Sequence, residues 1–500
     1  MESVTTNLVC CFLQEVVDHG DNIPTAFSCL SYCYFQMYYN IGCLTNIYMR
    51  YISTDRVPLP KWFSTLKAQL AYSKNRTDIL KNLLYHAHIG FLSTLYKDYN
   101  NDKLKISDLG IIDLKLSPTI ISNIKEWAGQ HYLGKLEELS KARFSTNNPW
   151  GMPADITGKP DYTPIQPNKW TNLIVPTGNY TNEKGIPIID INASSTYKIQ
   201  NFLGKEWYTN RGFSINPSVN IIDLSNKISK SWEDGLKEQT DELLEIYKNL
   251  DDKKKMIAEF FAGSSKINLP PPGFWIIIAS MLSQKYNQSF ELDLIMYFVV
   301  GAGLYDAGLA AWTYKSKYEQ PRPINIIRTF LKNNEITSWN PLNKPKINGS
   351  EWLPFQLFTF VTPPFPDVAS GHTVFSYTAG KLLEWWFNSS KLYDPYKLVR
   401  VPNPKLLCPS LSAQYKIFSC GEFSFEPGSS EIEPGITPKN TTVLKYNTIR
   451  ELYEDAGISR IYGGIHWKQT NEVSQELANW VFNQVKTKFE ISFRISSPYK

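Results

Sequence analysis

The proline-rich segment at residues 362–373 (TPPFPDVASGHT) constrains the fold most, because it leads directly into an apolar helix. The apolar residues of 374–387 recur at the spacing of a buried helix face. Ser370, Gly371 and His372 are therefore expected at a helix start, where free N–H groups and the helix dipole favour an oxyanion. Gly371 permits close approach of the backbone, Ser370 offers a hydroxyl, and His372 offers an acid or base that titrates near neutral pH.

Cationic side chains lie on both sides of this segment along the chain. Lys315 and Arg322 precede it with six residues between them, and Pro323 follows Arg322. Because Pro321 and Pro323 flank Arg322, the preceding helix is predicted to end near Glu319, with Arg322 on the turn beyond. Lysine supplies a compact charge and arginine a planar fork that holds two oxygens, so the pair is suited to an anion.

Arg460 and His466 follow the segment and would lie on different faces of one straight helix. The Gly463-Gly464 pair between them predicts a helix from about Leu444 that ends at the glycines. A second helix is then predicted from His466 towards Lys486, which would let both side chains converge on one pocket.

These three segments, in this order, resemble the motifs of the vanadium-dependent haloperoxidases and of the wider type 2 phosphatidic acid phosphatase superfamily: K-x6-R-P, P-S-G-H and S-R-x5-H. The resemblance implies vanadate as cofactor, with His466 as the ligand of the metal and His372 as an acid or base. Hydrogen peroxide would oxidise a halide to hypohalous acid, with the peroxide polarised by Lys315. Phosphate or sulfate could occupy the same site. The residues implied to hold the vanadate oxygens are Lys315, Arg322, Ser370, Gly371 and Arg460.

Two aromatic residues extend the resemblance. Trp312 and Phe365 occupy positions that line the halide side in the fungal chloroperoxidase type, and the bromoperoxidase type has a histidine where Phe365 stands. This favours chloride-capable chemistry, although core packing explains both residues equally well.

The chain departs from the family pattern at two positions. Ala369 replaces the proline before Ser-Gly-His, and Thr470 stands four residues after His466, where the family commonly has an aspartate. That aspartate would orient the histidine and fix its tautomer. Its loss would weaken a phosphatase, in which His466 forms a phospho-enzyme from a phosphate ester and His372 protonates the leaving group, more than it would weaken coordination of vanadate.

Three hypotheses therefore stay open. The first is a haloperoxidase, the second is an acid phosphatase on the same site, and the third is a structural or interaction protein that kept the fold without turnover. The net charge of +5 over 500 residues is too small to suggest nucleic acid. Oligomeric state is not fixed by the sequence, and a homo-oligomer is compatible with it.

No signal peptide or transmembrane span is expected, and the apolar run Leu294–Tyr305 is interpreted as a buried core helix of a soluble protein. Location stays open: cytoplasmic by default, or carried in a larger particle. The seven cysteines are interpreted as buried thiols. His86 and His88 are two residues apart and would point to different helix faces, so a shared metal is not expected.

The predicted fold class is all-α, made of helical bundles of the vanadium haloperoxidase and acid phosphatase type, with a loop-rich arm. We predict an N-terminal helical scaffold over 1–145, with a helix within Ala26–Tyr51 and another that starts at Ser117-Pro118. Residues 146–230, rich in Pro and Asn, are predicted to form the arm, with short strands near Ile188–Ile191. Residues 231–500 are predicted to form the C-terminal bundle that carries the oxyanion site, with helices over Trp232–Asn249, Asp252–Ala262, Trp275–Gln288 and Leu292–Lys317.

Overall fold

The computed structural model describes residues 4–20, 23–44, 60–70, 73–100, 104–109, 111–143, 154–155, 166–182, 185, 187–190, 192–262, 269–401 and 417–499. Helices dominate these residues, so the predicted all-α class is confirmed. The domain limits at 145 and 230 stay predictions.

Six α-helices lie in the described residues of the N-terminal part. The helix that starts after Ser117 is confirmed, because the Ser117 hydroxyl accepts the Ile120 N–H at 3.3 Å and Pro118 is the first helical residue. The predicted helix within Ala26–Tyr51 is α2, and the end of that range lies outside the described residues. The bounds are α1 Val4–Asp18, α2 Pro24–Gly42, α3 Lys61–Leu70, α4 Arg76–Leu95, α5 Pro118–Leu133 and α6 Leu136–Arg143.

The arm contains a three-stranded sheet in the order β1-β2-β3, in which β2 pairs parallel with β1 and antiparallel with β3. The strands predicted near Ile188–Ile191 are wrong for the described residues 188–190, which form no strand. The strands lie instead on either side of that stretch, where extended segments pair with each other. The elements are β1 Ala154–Asp155, β2 Leu173–Pro176, β3 Tyr197–Ile199 and a short helix, α7 Pro217–Asn220.

The C-terminal bundle is organised around two central helices that pack together, α11 and α13. All four helices predicted between Trp232 and Lys317 are present. The bounds are α8 Lys237–Lys248, α9 Asp252–Phe260, α10 Pro271–Lys285, α11 Phe290–Tyr318, α12 Pro323–Phe330, α13 Gly371–Phe387, α14 Ile449–Tyr462 and α15 Lys468–Lys488, with the hairpins β4 Glu335–Ile336 and β5 Ile347–Asn348, β6 Asp394–Arg400 and β7 Ile417–Cys420, and β8 Glu422–Phe425 and β9 Thr442–Lys445.

The predicted start of one helix in this bundle is wrong. The helix expected from about Leu444 begins at Ile449, after the N-cap Thr448, and Leu444 belongs to β9. Leu444 is buried opposite Phe423 of β8, whereas Val443 beside it is exposed, which is the alternation of a strand. Pairing with β8 therefore overrides the continuous helix.

The N-terminal helices and the C-terminal bundle share one apolar core, because α2 packs along α11. A buried carboxylate also joins the arm to this helix: Asp306 accepts the N–H groups of Phe213 and Ser214 at 2.6 and 2.8 Å. The arm is therefore held against α11, the helix whose last turn carries Lys315.

The stretch Phe290–Phe330 is the one part of the described chain that is long and apolar enough to cross a membrane, and 94% of its most apolar window is buried in the protein. That burial is typical of a core helix. Of the described cysteines none forms a disulfide, and Cys408 lies outside the described residues.

Candidate active site

The turn after α11 positions the first two cations. Helix α11 ends at Tyr318 with Glu319 in the left-handed conformation, as the flanking prolines predict, and Arg322 is the N-cap of α12. Both Lys315 and Arg322 are completely buried. The Lys315 Nζ donates to the carbonyls of Pro366 and Asp367 at 2.7 and 2.9 Å, so the end of α11 fixes the proline-rich segment.

Arg322 spans the space between the proline-rich segment and His466. Its Nε donates to the Phe365 carbonyl at 2.9 Å and its Nη1 to the Ile465 carbonyl at 2.7 Å, and Nη1 also lies 3.0 Å from His466 Nε2. The remaining nitrogen, Nη2, is buried and has no hydrogen-bond partner among the described residues. Burial lowers the pKa of Arg322 to about 10, so the side chain stays charged at neutral pH.

The expected helix start is confirmed. Ser370 is the N-cap of α13 and its hydroxyl accepts the Thr373 N–H at 3.3 Å. The first N–H groups of the helix, those of Gly371 and His372, have no carbonyl one turn earlier to bind. They are therefore donors at the positive end of a 17-residue helix.

His372 is half-buried. Its Nε2 donates to the Phe261 carbonyl at 2.7 Å, which leaves Nδ1 as the acceptor of the ring. Burial and the charges of Arg460 and Arg322 hold its pKa well below the usual range.

Arg460 lies in the last turn of α14, which ends at Gly463-Gly464 as predicted. Its Nη1 donates to the Ala258 carbonyl at 3.2 Å, while Nε is buried without a hydrogen-bond partner in the described part of the chain. Burial and the charge of Arg322 lower the pKa of Arg460 to about 9.

His466 lies in the turn between α14 and α15 and is 2% exposed. The next helix starts two residues later than predicted, at Lys468. Burial and the nearby cations hold the pKa of His466 well below its usual range. The turn brings it beside Arg322, so Arg460 and His466 do converge on one pocket.

A carboxylate does lie beside His466, and it belongs to Asp367 of the proline-rich segment. Asp367 Oδ1 lies 2.8 Å from His466 Nδ1, and Asp367 Oδ2 accepts a hydrogen bond from the Thr470 hydroxyl. The expectation that Thr470 leaves His466 without an acidic neighbour is therefore wrong. Burial raises the pKa of Asp367 to about 6, although Arg322 and the Thr470 hydroxyl oppose this shift.

Sequence reasoning missed this role because Asp367 is distant from His466 along the chain. The signal that could have revealed it is a single acidic residue, three positions before Ser370, inside a segment surrounded by cations.

The two aromatic residues also lie at the pocket. The rings of Trp312 and Phe365 are 4.9 Å apart, and Lys315 Nζ is 4.8 Å from the Phe365 ring centre. The Trp312 Nε1 donates to the Leu203 carbonyl at 2.9 Å, so part of the arm closes over this side.

A cavity of about 390 Å3 leads to the site, with His372 and Arg460 at its inner surface. Its walls are mainly apolar, and β3 of the arm contributes Lys198 and Ile199. Volumes of this size accommodate small organic molecules.

The arrangement defines a class: a helical-bundle protein with a buried pocket in which Lys315, Arg322 and Arg460 face one carboxylate and two histidines. Among the described residues no cluster of three or more His, Cys, Asp or Glu side chains could hold a metal cation. The charges and free N–H groups of this pocket are suited to an anion.

Residues 295–493 match the family model described as the VCPO second helical-bundle domain. The vanadium chloroperoxidase of Curvularia inaequalis is 24% identical over 220 residues, which cover 42% of this chain and 34% of that protein. A holo-type bacterial vanadium-dependent chloroperoxidase structure has a TM-score of 0.63 at 17% identity, with 93% of this chain and 92% of that chain covered. The apo-type structure has a TM-score of 0.61 over 93% and 95% of the two chains.

Residues 295–493 are thus similar to the second helical bundle of the vanadium chloroperoxidases, which supports the resemblance to the vanadium haloperoxidase family. The similarity to solved structures, at 17% identity, is one of fold. The matched stretch of the curated relative is about a third of that protein's length.

Proposed function

We propose that this protein is a vanadium-dependent haloperoxidase that uses hydrogen peroxide to oxidise halide to hypohalous acid. The observation that carries the proposal is a pair of buried guanidinium nitrogens, Arg322 Nη2 and Arg460 Nε, that have no hydrogen-bond partner among the described residues. A buried charged donor without a partner costs about 1–3 kcal/mol or more, so a bound oxyanion is the expected compensation.

The residues present fit vanadate. Arg322, Arg460, the Ser370 hydroxyl and the Gly371 N–H would hold its oxygens, together with Lys315, and His466 would bind the metal through a ring nitrogen. When bound, vanadate supplies Lewis-acid activation of peroxide, a chemistry that needs neither haem nor flavin.

The protein's own groups would manage charge and protons around the anion. The lowered pKa of His372 keeps it neutral, with Nδ1 free to accept a proton and Nε2–H held by Phe261. Lys315, fixed by two carbonyls at the end of α11, would lie close to the peroxide oxygens, and burial and the charge of Arg322 lower its pKa well below the usual range. Trp312 and Phe365 would provide a dry surface for the halide.

The experiment is bromination of a dione reporter by purified protein with vanadate and hydrogen peroxide, alongside the His466→Ala variant. Bromide is used first because it is easier to oxidise than chloride. We expect turnover that depends on vanadate and disappears in His466→Ala. Absence of vanadate-dependent turnover in the wild type would contradict the proposal, and chloride oxidation is the next measurement if it is present.

An acid phosphatase on the same site is the second candidate, and Asp367 favours it. A carboxylate beside His466 is what a histidine nucleophile needs, so the main argument against a phospho-histidine intermediate no longer holds. Hydrolysis of an aryl phosphate that vanadate inhibits, without bromination, would favour this candidate. Vanadate binding with neither activity would instead indicate a protein that kept the site without turnover.

A further inference from the structure

We propose that Asp367 is the positioning residue for His466, and that it replaces the carboxylate that the family places four residues after this histidine. The inference rests on the proposed function, in which His466 binds the central atom of the oxyanion. It assigns a role that the motif does not contain, because position 367 lies outside the Ser-Gly-His triplet.

The geometry assigns the two carboxylate oxygens of Asp367 different partners. Oδ1 is 2.8 Å from His466 Nδ1, whereas Oδ2 accepts the Thr470 hydroxyl. Thr470 therefore occupies the family's aspartate position and holds the substitute carboxylate by a hydrogen bond. The acid is therefore on the proline-rich segment and the hydroxyl is on α15.

Asp367 is held from several directions and is completely buried. Its N–H donates to the Gln320 carbonyl at 2.9 Å, and its own carbonyl accepts from Lys315 Nζ at 2.9 Å. The Trp467 N–H, on the residue after His466, also faces the carboxylate. A side chain fixed in this way can orient its neighbour, because its own position is not free to change.

Oδ1 lies closer to His466 than to Arg322. The Arg322 Nη1 lies 3.6 Å from Oδ1, and its N–H groups are directed to the carbonyls of Phe365 and Ile465. Oδ1 has no aligned hydrogen-bond donor among the described residues, although it is fully buried. It is therefore the acceptor available to an Nδ1–H of His466.

This arrangement selects one tautomer of the ring. A carboxylate that faces Nδ1 favours the proton there, which leaves the lone pair of Nε2 for the oxyanion. Arg322 Nη1 lies 3.0 Å from Nε2 and can only donate, so without an anion this lone pair accepts a hydrogen bond from Arg322. Asp367 would thus act on the oxyanion only through the orientation and tautomer of His466.

The test compares Asp367→Ala with the double variant Asp367→Ala/Thr470→Asp, which returns the carboxylate to the family's position. Two quantities are measured: the tautomer of His466 from its ring nitrogen-15 shifts without vanadate, and the equilibrium dissociation constant for vanadate. The chain has six histidines, so the assignment is tractable with histidine-labelled protein and His466→Ala. We expect Asp367→Ala to lose the Nδ1–H preference and to bind vanadate about 10–100-fold more weakly.

The double variant should recover the tautomer and bring vanadate affinity to within about threefold of the wild type, which a merely structural role would not do. The ring signals of His88 and His131, far along the chain, report whether the fold is kept. If Asp367→Ala does not fold, Asp367→Asn keeps the shape and should bind vanadate more weakly.

The proposal is overturned if folded Asp367→Ala keeps the wild-type tautomer, or if affinity falls in both variants with the tautomer unchanged. Failure of the proposed function is seen separately, as wild-type vanadate affinity in His466→Ala, and the tautomer without vanadate still tests Asp367 in that case.

Discussion

Both halves of the protein bury histidines, and among the described residues those of the C-terminal half lie beside several buried cations. In the N-terminal half, His88 of α4 is completely buried, with Tyr34 Oη 2.6 Å from Nδ1, and burial alone lowers its pKa to about 3. In the C-terminal half, burial lowers the pKa of His372 and His466, and the charges of Arg322 and Arg460 lower them further.

This difference between the two sets of histidines shows which observation identifies a functional site. A strongly lowered pKa occurs in both regions, since it follows from burial. The hydrogen-bond partner of His88 is the Tyr34 hydroxyl, which is typical of a core histidine. In the C-terminal pocket, Arg322 Nη2 and Arg460 Nε are buried and have no hydrogen-bond partner among the described residues. A bound anion would satisfy both nitrogens, and this feature distinguishes the C-terminal pocket.

The largest expected effect is the loss of vanadate binding in His466→Ala. Removal of the single proposed metal ligand should weaken binding by at least about 100-fold, beyond what changes around a ligand cause. The matched control is His88→Gln, which should bind vanadate normally and lose about 1–3 kcal/mol of unfolding free energy through its buried hydrogen bond. Equilibrium dialysis and urea unfolding measure the two quantities, and stoichiometric vanadium in His466→Ala would refute the assignment.

Arg460→Gln should have the next largest effect. It removes one charged donor from the pocket, and a hydrogen bond to a charged group contributes about 1.5–3 kcal/mol, so vanadate affinity should fall by roughly 10–100-fold. Arg450→Gln on the same helix is the control, because Arg450 is exposed and pairs with Glu454 at 2.8 Å. That change should shift affinity by less than about twofold. Equal losses in both variants would point to a general effect of charge.

The N-terminal half should respond to pH through His88. Its folded-state pKa of about 3 is below the unfolded value of about 6.5, so the unfolded chain takes up a proton that the folded chain refuses. The stability from neutral His88 is complete above about pH 6.5 and is lost as the pH falls towards about 3, with roughly 2 kcal/mol gone at about pH 5.

Urea unfolding of the wild type and His88→Gln between about pH 7 and pH 5 measures this effect. We expect the difference in unfolding free energy between the two proteins to shrink on acidification. A difference that is constant over this range would mean that His88 takes up a proton in the folded protein as readily as in the unfolded chain.

Much of the site could be predicted from sequence because proline and glycine fix the local geometry. The prolines on either side of Arg322 end α11 and make Arg322 the N-cap of α12. The Gly463-Gly464 pair ends α14 and turns His466 into the pocket. Such signals act over a few residues, so they can be recognised in a single chain.

The parts that could not be predicted depend on contacts between distant residues. The pairing of Leu444 with Phe423 decides that 442–445 is a strand, and nothing local excludes a helix there. The contact of Asp367 with His466 likewise joins residues about 100 positions apart, and it reverses the expectation drawn from Thr470. Substitutions that compensate each other across the fold are visible only when both positions are placed in space.

The smallest expected effect is a change in access to the cavity. It can be measured separately from the chemistry at the pocket. Leu203 lines the cavity, and its backbone is fixed by the Trp312 Nε1 and, through its N–H at 3.2 Å, by the Pro364 carbonyl. Leu203→Trp should therefore fill part of the space without moving the arm. We expect kcat/KM for a bulky organic acceptor to fall by about tenfold, or roughly 1.4 kcal/mol, while iodide oxidation changes little.

Leu203→Ala is the matched control, because it enlarges the cavity at the same position and should not exclude the acceptor. Equal kcat/KM values for the bulky acceptor in the wild type and Leu203→Trp would mean that halogenation occurs outside the protein, by released hypohalous acid. Equal losses for iodide and acceptor would mean instead that the pocket itself has been disturbed. An acceptor-specific loss would show that the arm, through β3 and Leu203, selects what reaches the proposed oxidising site that α11, α13 and the turn before α15 build.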